Sequence, residues 1–266
     1  MRKFVGFLGL APYGSDEIVL STLACGVTAY TLFLIYGWLA VLPAIPFSIV
    51  IWFFRNPERK GVSDPDVLLS PADGTVTDIV ELEESTFLGG RALRIGIFLS
   101  PFNVHVNRIP CAGTVLYTKY LAGDFLPAYN PKAPERNESI SLGIETPEGV
   151  RLLVKQITGV LARRIVCEVQ AGDSLTRGER YGMIKFGSRT EVYIPAAAYG
   201  TALVKIGDKV KGGETSFYRI NLSATESAPD RNIPGAIISD ENGSGHRVDR
   251  AEGQERERRP LSAQGH

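Results

Sequence analysis

Histidine is scarce in this chain. Of three in 266 residues, only His105 lies outside the Ser-, Asp-, Glu-, Arg- and Gly-rich C-terminal stretch. One core histidine without a Cys/His cluster cannot supply the three or four ligands of a zinc site, so no metal is expected. Cysteine is equally sparse: Cys25, Cys111 and Cys167 are odd in number, lack metal-type spacing and read as reduced, structural thiols. Net charge is missing too. The 29 basic residues balance 29 acidic ones, and without a basic excess nucleic acid is not expected as a partner. There is no glycine-rich nucleotide loop. Beyond the N-terminal region there is also no long apolar stripe at helical spacing, which argues against a helical bundle or a doubly wound α/β sheet.

Charge is absent altogether from Ile18 to Phe54, a run of 37 residues. A membrane helix needs about 20 apolar residues to cross a ~30 Å hydrocarbon core, so the run is long for one span and slightly short for two. Gly37 near its middle, with Pro43 and Pro46 beyond, predicts a break. The pattern reads as a hairpin or re-entrant anchor: about 18–36 outward, a tight turn at Gly37-Trp38, then 39–54 back. Tyr36, Trp38 and Trp52 fit interfacial positions. Arg2 and Lys3 before the run and Arg55, Arg59 and Lys60 after it favour both ends in the cytoplasm. A single tilted span is the first alternative. A signal peptide is the second, but its n-region and apolar run would be too long, and no small-x-small cleavage site precedes the globular part.

Four segments follow: an N-terminal segment 1–17, a membrane hairpin 18–54, a soluble domain 55–222 and a tail 223–266 too polar and aperiodic to order itself. The soluble domain reads as mostly β. Short apolar or alternating runs, among them 75–80, 92–98, 113–121, 139–145, 151–157, 165–169, 183–186, 190–194 and 202–206, are punctuated by turn pairs such as Asp73-Gly74, Gly89-Gly90, Gly172-Asp173 and Gly212-Gly213. Residues 151–168 also admit a partly helical reading. The stretches Ser70-Pro-Ala-Asp-Gly-Thr-Val76 and Ile206-Gly-Asp-Lys-Val-Lys-Gly-Gly-Glu214 resemble the tight turns of lipoyl/biotinyl-carrier barrels. The expected fold class is therefore mostly β (α+β): a carrier-like β-barrel or sandwich behind a transmembrane or re-entrant helical hairpin.

Three motifs stand in order along this domain: Ser-Pro-Ala-Asp-Gly at 70–74, Phe-Asn-Val-His-Val-Asn-Arg at 102–108, and Phe-Gly-Ser-Arg at 186–189. Each is weak alone, since Gly-Ser also occurs at 14–15 and 243–244. Together, behind an apolar anchor and over roughly residues 50–220, they resemble the short, membrane-anchored type of phosphatidylserine decarboxylase proenzyme. That resemblance implies a zymogen in which the Gly187–Ser188 bond cuts itself and Ser188 becomes a covalent pyruvoyl group. It further implies fragments 1–187 and 188–266 that stay associated, and a cell-membrane enzyme whose catalytic domain faces the cytoplasm. The pyruvoyl group would form a Schiff base with phosphatidylserine and release CO2 to give phosphatidylethanolamine, with no diffusible cofactor.

The residues suit that chemistry. A glycine before the serine permits the strained backbone that hydroxyl attack on the preceding carbonyl requires. A serine hydroxyl is a weak nucleophile without a base, and histidine is the side chain best placed to move protons near neutrality. By resemblance Ser188 is the nucleophile and Asp73 the acidic member, which could orient His105 in the manner of a serine–histidine–carboxylate triad. Longer family members carry two histidines three apart, one for self-cleavage and one for decarboxylation. Here the second position is Arg108, so His105 serves both steps or another group takes one. Arg108 and Arg189, with Arg163 and Arg164 behind them, are candidates to hold substrate phosphate or carboxylate, because a planar guanidinium grips both bidentately. Other readings are a non-catalytic anchored carrier or adaptor barrel, a lysostaphin-like zinc peptidase, for which ligands are too few, and a pyruvoyl decarboxylase of free amino acids, which has no need of an anchor.

Overall fold

The computed structural model describes residues 6, 9–128, 130, 132–160, 164–185 and 187–221. The expected tail from 223 lies outside them. The charge-free run forms α1 (Ser15–Tyr36), which stops at Gly37, a 3₁₀ turn over Gly37–Val41, and α2 (Ala44–Phe53). At 1.5 Å per residue α1 is about 33 Å long and α2 about 15 Å. The chain returns to where it left: the Ala11 amide donates to Phe54 O (2.7 Å) and the Asn56 amide to Gly9 O (2.8 Å). Between the arms, Cys25, Gly26 and Ala29 of α1 and Ala44 and Phe47 of α2 line an open groove. Leu23, Val27, Phe33 and Ile49 point outward and are exposed, which is costly in water. The helical stretch 12–41 is long and apolar enough to cross a membrane, whereas α2 is shorter. The out-and-back path expected from Gly37 is present, with a short return arm.

The rest is strand-rich. In chain order the strands are β1 (Val67–Leu69), β2 (Gly74–Glu84), β3 (Gly90–Leu99), β4 (Val106–Arg108), β5 (Gly113–Leu121), β6 (Ser139–Glu145) and β7 (Arg151–Ile157). These continue as β8 (Ile165–Cys167), β9 (Ser174–Leu175), β10 (Arg180–Ile184), β11 (Ser188–Pro195), β12 (Thr201–Ala202), β13 (Lys209–Val210) and β14 (Ser216–Arg219). A single helical turn, α3 (Ala133–Arg136), precedes β6. The largest sheet has the order β13-β2-β3-β11-β7-β6-β5-β9 and curls into a half-barrel; β4-β10-β8 and β1-β14-β12 form two smaller sheets. Breaks in register within β2, at Val76/Asp78, and within β5, at Val115/Tyr117, are the bulges that bend such a sheet.

Strand alternation sorts side chains between two sides of the large sheet. Ile95, Ile97 and Leu99 of β3, Leu152 and Val154 of β7, and Val192 and Ile194 of β11 fill the main core. Tyr193 and Leu153, on the opposite side, pack with Phe87 and Ala92. A third cluster joins the hairpin to the domain: Phe53 and Phe54 at the end of α2, with Leu10 and Ile18, pack on Val104, Val106 and Met183. Each fully buried aliphatic or aromatic side chain there contributes roughly 1.5–3 kcal/mol. The base of the apolar hairpin therefore rests on the segment that carries His105.

The strands expected at 113–121, 139–145 and 151–157 are found with those bounds, and residues 151–168 contain β7 and β8 in place of helix. The strand expected over 202–206 is only Thr201–Ala202. Of the strands of two to four residues, β1, β4, β9, β13 and β14 were not foreseen, because so few residues carry no period. Ser188 stands inside β11, as its first residue.

Candidate active site

Ser188 is fully buried, opposite Leu99 of β3 at the end of the β3–β11 ladder. The residue before it, Gly187, has φ +56°, a left-handed conformation that only glycine adopts without strain. The carbonyl between them is seated against a second glycine. A Cβ at Gly159 would overlap Gly187 O and lie 3.1 Å from Gly187 C, so no side chain fits at 159 while that carbonyl keeps its place. Gly159 follows β7 and Thr158, and nothing in its local sequence announced the contact. Phe186 lies outside the described residues.

The inner side of β11 continues Ser188 with Thr190, which pairs across the sheet with Gln156 of β7. Above them runs β4, tied down by a buried hydrogen bond from Gln156 Nε2 to Asn107 Oδ1 (2.7 Å). His105 lies two residues before Asn107, and its carbonyl accepts from the Ile184 amide at 3.4 Å. Five buried side-chain atoms on these residues have no hydrogen-bond partner: His105 Nε2, Asn107 Nδ2, Gln156 Oε1, Ser188 Oγ and Thr190 Oγ1. The other three such atoms among the described residues are tyrosine hydroxyls. Buried polar atoms are nearly always paired, because an unmade hydrogen bond costs about 1–3 kcal/mol. A concentration of them on β4, β7 and β11 marks a place where bonding capacity is held in reserve.

His105 is held in one tautomer. Its Nδ1 sits 3.0 Å from Asn103 O, and since a carbonyl only accepts, the proton is on Nδ1 and Nε2 carries the lone pair. The ring packs on Phe53 with centroids 4.6 Å apart. Burial, assisted by the positive charge of Arg55 and only partly opposed by the Asn103 bond, lowers its pKa to about 4. Ser188 Oγ and His105 Nε2 are each unpartnered, so no hydrogen bond joins them.

Three expected roles change. Asp73 does not orient His105: its Oδ2 pairs with Arg59 (3.0 Å) and its Oδ1 accepts from the Gly212 amide (2.8 Å), while the His105 ring is held by a backbone carbonyl. Arg108 is buried with its guanidinium donating to Gly178 O (2.9 Å) and Pro57 O (2.7 Å). Burial, with the charges of Arg180 and Arg59, lowers its pKa to about 10. It fastens the chain segments around 57 and 178 and is not available to a substrate phosphate. Arg189 lies on the opposite side of β11 from Ser188, as strand alternation requires. Its guanidinium donates to Glu191 (2.7 Å), Thr77 (2.7 Å) and Asp78 (2.6 Å), and this buried network withdraws it from substrate. The Arg164 carbonyl accepts from the Lys185 amide, and Arg163 lies outside the described residues. The sequence reading missed Gly159, Gln156 and Thr190. Asn107 lay inside a motif already singled out, next to the position of Arg108.

A β-rich domain with a buried serine after a left-handed glycine, resting on an apolar helical hairpin, is the class of protein that fold and site define. Comparison with known proteins narrows it. Residues 47–218 match the family model for phosphatidylserine decarboxylase. A phosphatidylserine decarboxylase proenzyme of Carboxydothermus hydrogenoformans is 48% identical over 197 residues, covering 74% of this chain and 92% of that protein. The proenzyme of Symbiobacterium thermophilum is 47% identical over 209 residues, covering 79% and 93%. That of Chlorobium luteolum is 41% identical over 214 residues, covering 79% and 99%. The chain belongs to the phosphatidylserine decarboxylase family.

Proposed function

We propose that this chain is a self-processing phosphatidylserine decarboxylase, cut between Gly187 and Ser188. The observation that carries the reading is Ser188 Oγ, buried and unpartnered, directly after a left-handed glycine whose carbonyl is pinned against Gly159. Rotation of the Ser188 side chain brings Oγ to the Gly187 carbonyl carbon. The hydroxyl proton passes to a base as the C–O bond forms, and the C–N bond breaks to leave an ester and a free amine. Loss of the Ser188 α-proton then expels the Gly187 carboxylate and leaves dehydroalanine, which takes up water and releases ammonia. His105 is the base: neutral down to about pH 4, it keeps its Nε2 lone pair at any physiological pH. Asp73, held by Arg59 and Gly212, contributes at a distance by fixing the Ser70–Gly74 turn, with Gly74 one strand from Leu99 and two from Ser188.

The group left on residue 188 is a pyruvoyl. The inner side of β11 suits it, since Thr190, Asn107 and Gln156 offer hydrogen-bonding atoms and no buried charge. Such a group would supply an electrophilic carbonyl for a primary amine and an electron sink for the loss of CO2. His105 Nε2 takes the proton that the substrate's ammonium sheds on becoming the free amine, and it is from there that a proton returns to the carbon that has lost CO2. The cut chains, 1–187 and 188–266, remain one molecule because β11, in the second, is paired on both edges with β3 and β7, in the first. The hairpin is read as the membrane anchor at the cell membrane, with the domain on the cytoplasmic side. The closing pair, Ala11–Phe54, and the packing of Phe53 on His105 support a site close beneath a lipid surface.

The carrier-like reading of the barrel rests on its two resembling turns. Ser70–Gly74 and Ile206–Glu214 meet directly, through Gly212 N to Asp73 Oδ1 (2.8 Å) and Gly213 N to Ser70 O (2.8 Å). The function is tested by supplying phosphatidylserine vesicles to the purified wild type and to Ser188→Ala. Release of CO2 with formation of phosphatidylethanolamine by the wild type alone is expected. A folded wild type that forms neither would overturn the reading.

A further inference from the structure

Asn107 and Gln156 are both buried and share one hydrogen bond, Gln156 Nε2 to Asn107 Oδ1 at 2.7 Å. That bond leaves the Asn107 amide nitrogen and the Gln156 carbonyl oxygen unpartnered. A purely structural buried amide in the same molecule behaves differently. Asn137 accepts from the Leu126 amide (2.9 Å) and donates to Leu126 O and Thr158 O (2.8 Å each), using both ends of its side chain. The Asn107–Gln156 pair therefore presents a free donor beside a free acceptor, with the unpartnered Thr190 hydroxyl on the residue paired with Gln156.

Position adds the second half. Thr190 is two residues along β11 from Ser188 on the same side, and Gln156 is one strand away. At about 3.4 Å per residue and about 4.8 Å between strands, the Gln156 backbone lies on the order of 8 Å from that of Ser188. That is the reach of a small amino-acid headgroup held at residue 188. A donor and an acceptor side by side complement a group that carries a carboxylate next to an ammonium.

We propose that Asn107 and Gln156 form the headgroup subsite. The Asn107 amide donates to the carboxylate of the lipid's amino-acid headgroup, and Gln156 Oε1 accepts from its amino nitrogen before bond formation. The subsite then tells phosphatidylserine, which has the carboxylate, from phosphatidylethanolamine, which lacks it. This rests on the reading of the chain as a phosphatidylserine decarboxylase cut at Ser188. The polarity follows from taking Gln156 as the donor in the shared bond; turning both amides end for end exchanges the two residues' parts and leaves the subsite intact.

The test uses the processed, full-length protein in detergent, treated with borohydride to reduce the pyruvoyl carbonyl so that nothing turns over. Binding of dihexanoyl phosphatidylserine and dihexanoyl phosphatidylethanolamine is then measured by calorimetry. Asn107→Asp sets a carboxylate against the headgroup carboxylate, and it is expected to weaken phosphatidylserine about 30-fold while leaving phosphatidylethanolamine within about twofold. Gln156→Leu is expected to weaken both lipids by about tenfold. If Asn107→Asp does not fold, Asn107→Ser carries the test, with a phosphatidylserine-selective loss of about tenfold. A selective loss on Gln156→Glu in place of Asn107→Asp supports the subsite with its amides reversed. Equal losses for both lipids with every variant, or no loss at all, overturn it. A wild type that is never cut speaks against the function itself; a cut and active wild type whose variants bind both lipids normally speaks against this subsite alone.

Discussion

The two sides of β11 are equally buried and built on opposite principles. On one side Arg189, Glu191 and Tyr193 belong to a closed network with Asp78, Thr77 and Arg94, in which Tyr193 also donates to Glu191 at 2.6 Å. Burial alone would raise the Asp78 pKa, but the charge of Arg189 beside it, then its hydrogen bonds and Arg94, bring it below the usual carboxylate range. On the other side Ser188, Thr190 and Gln156 are neutral and carry unpartnered atoms. A buried charge must be paired or it costs several kcal/mol, so charges in a core become structure. Neutral polar groups are cheaper to leave unpaired, and a protein can keep them open for a reaction. The pair of faces explains why Arg189, next to Ser188, is bound into the opposite face.

Ser188→Ala should abolish cleavage outright and leave one chain on a denaturing gel. Gly159→Val, which drives a side chain into the Gly187 carbonyl, should slow cleavage by about 100-fold or more with little change in far-UV circular dichroism, since small displacements of reacting atoms cost that much. Arg189→Met tests the other face: Asp78 and Glu191 lose their common partner, and urea denaturation should show a loss of about 3–5 kcal/mol. The folded fraction should still cut itself at close to the wild-type rate; a folded but uncut Arg189→Met would return that residue to the site.

Acid sharpens the contrast from the His105 side. The folded pKa of about 4 lies below the ordinary value of 6.5, so between those pH values the unfolded chain binds the extra proton. Stability is therefore held above pH 6.5 and lost as pH falls toward 4, by up to about 3 kcal/mol from this residue. His105→Gln should flatten that part of the pH–stability curve, and it should also block or strongly slow cleavage. The smallest effect belongs to Asp73→Asn. It keeps an acceptor for Gly212 but loses the Arg59 ion pair, and a slowing of cleavage of about tenfold is expected in a time course of freshly synthesised protein.

Much of this was legible beforehand. Alternation and turn pairs delimited β5, β6 and β7, the absence of charge from 18 to 54 marked the two apolar helices, and two of the motifs hold His105 and Ser188, whose buried side-chain atoms stand unpartnered. What escaped was whatever depends on contact between distant segments. Gly159 looks like any loop glycine until the Gly187 carbonyl is laid against it, and the Asn107–Gln156 bond joins residues 49 apart. The Gly212 turn was recognisable as a turn, but its bond to Asp73 spans 139 residues and that of Arg108 to Gly178 spans 70, and no local pattern pairs such distant segments. Arg189 was a different kind of miss. The period of two along β11 already puts it on the far side of the strand from Ser188.

Intact-mass spectrometry of the purified wild type beside Ser188→Ala reads the fate of the Gly187–Ser188 bond directly. Two masses that split after Gly187, the C-terminal one beginning with a pyruvoyl in place of serine, are predicted for the wild type, with one undivided mass for the variant. A single undivided mass for both, from folded protein, would contradict self-cleavage at that bond.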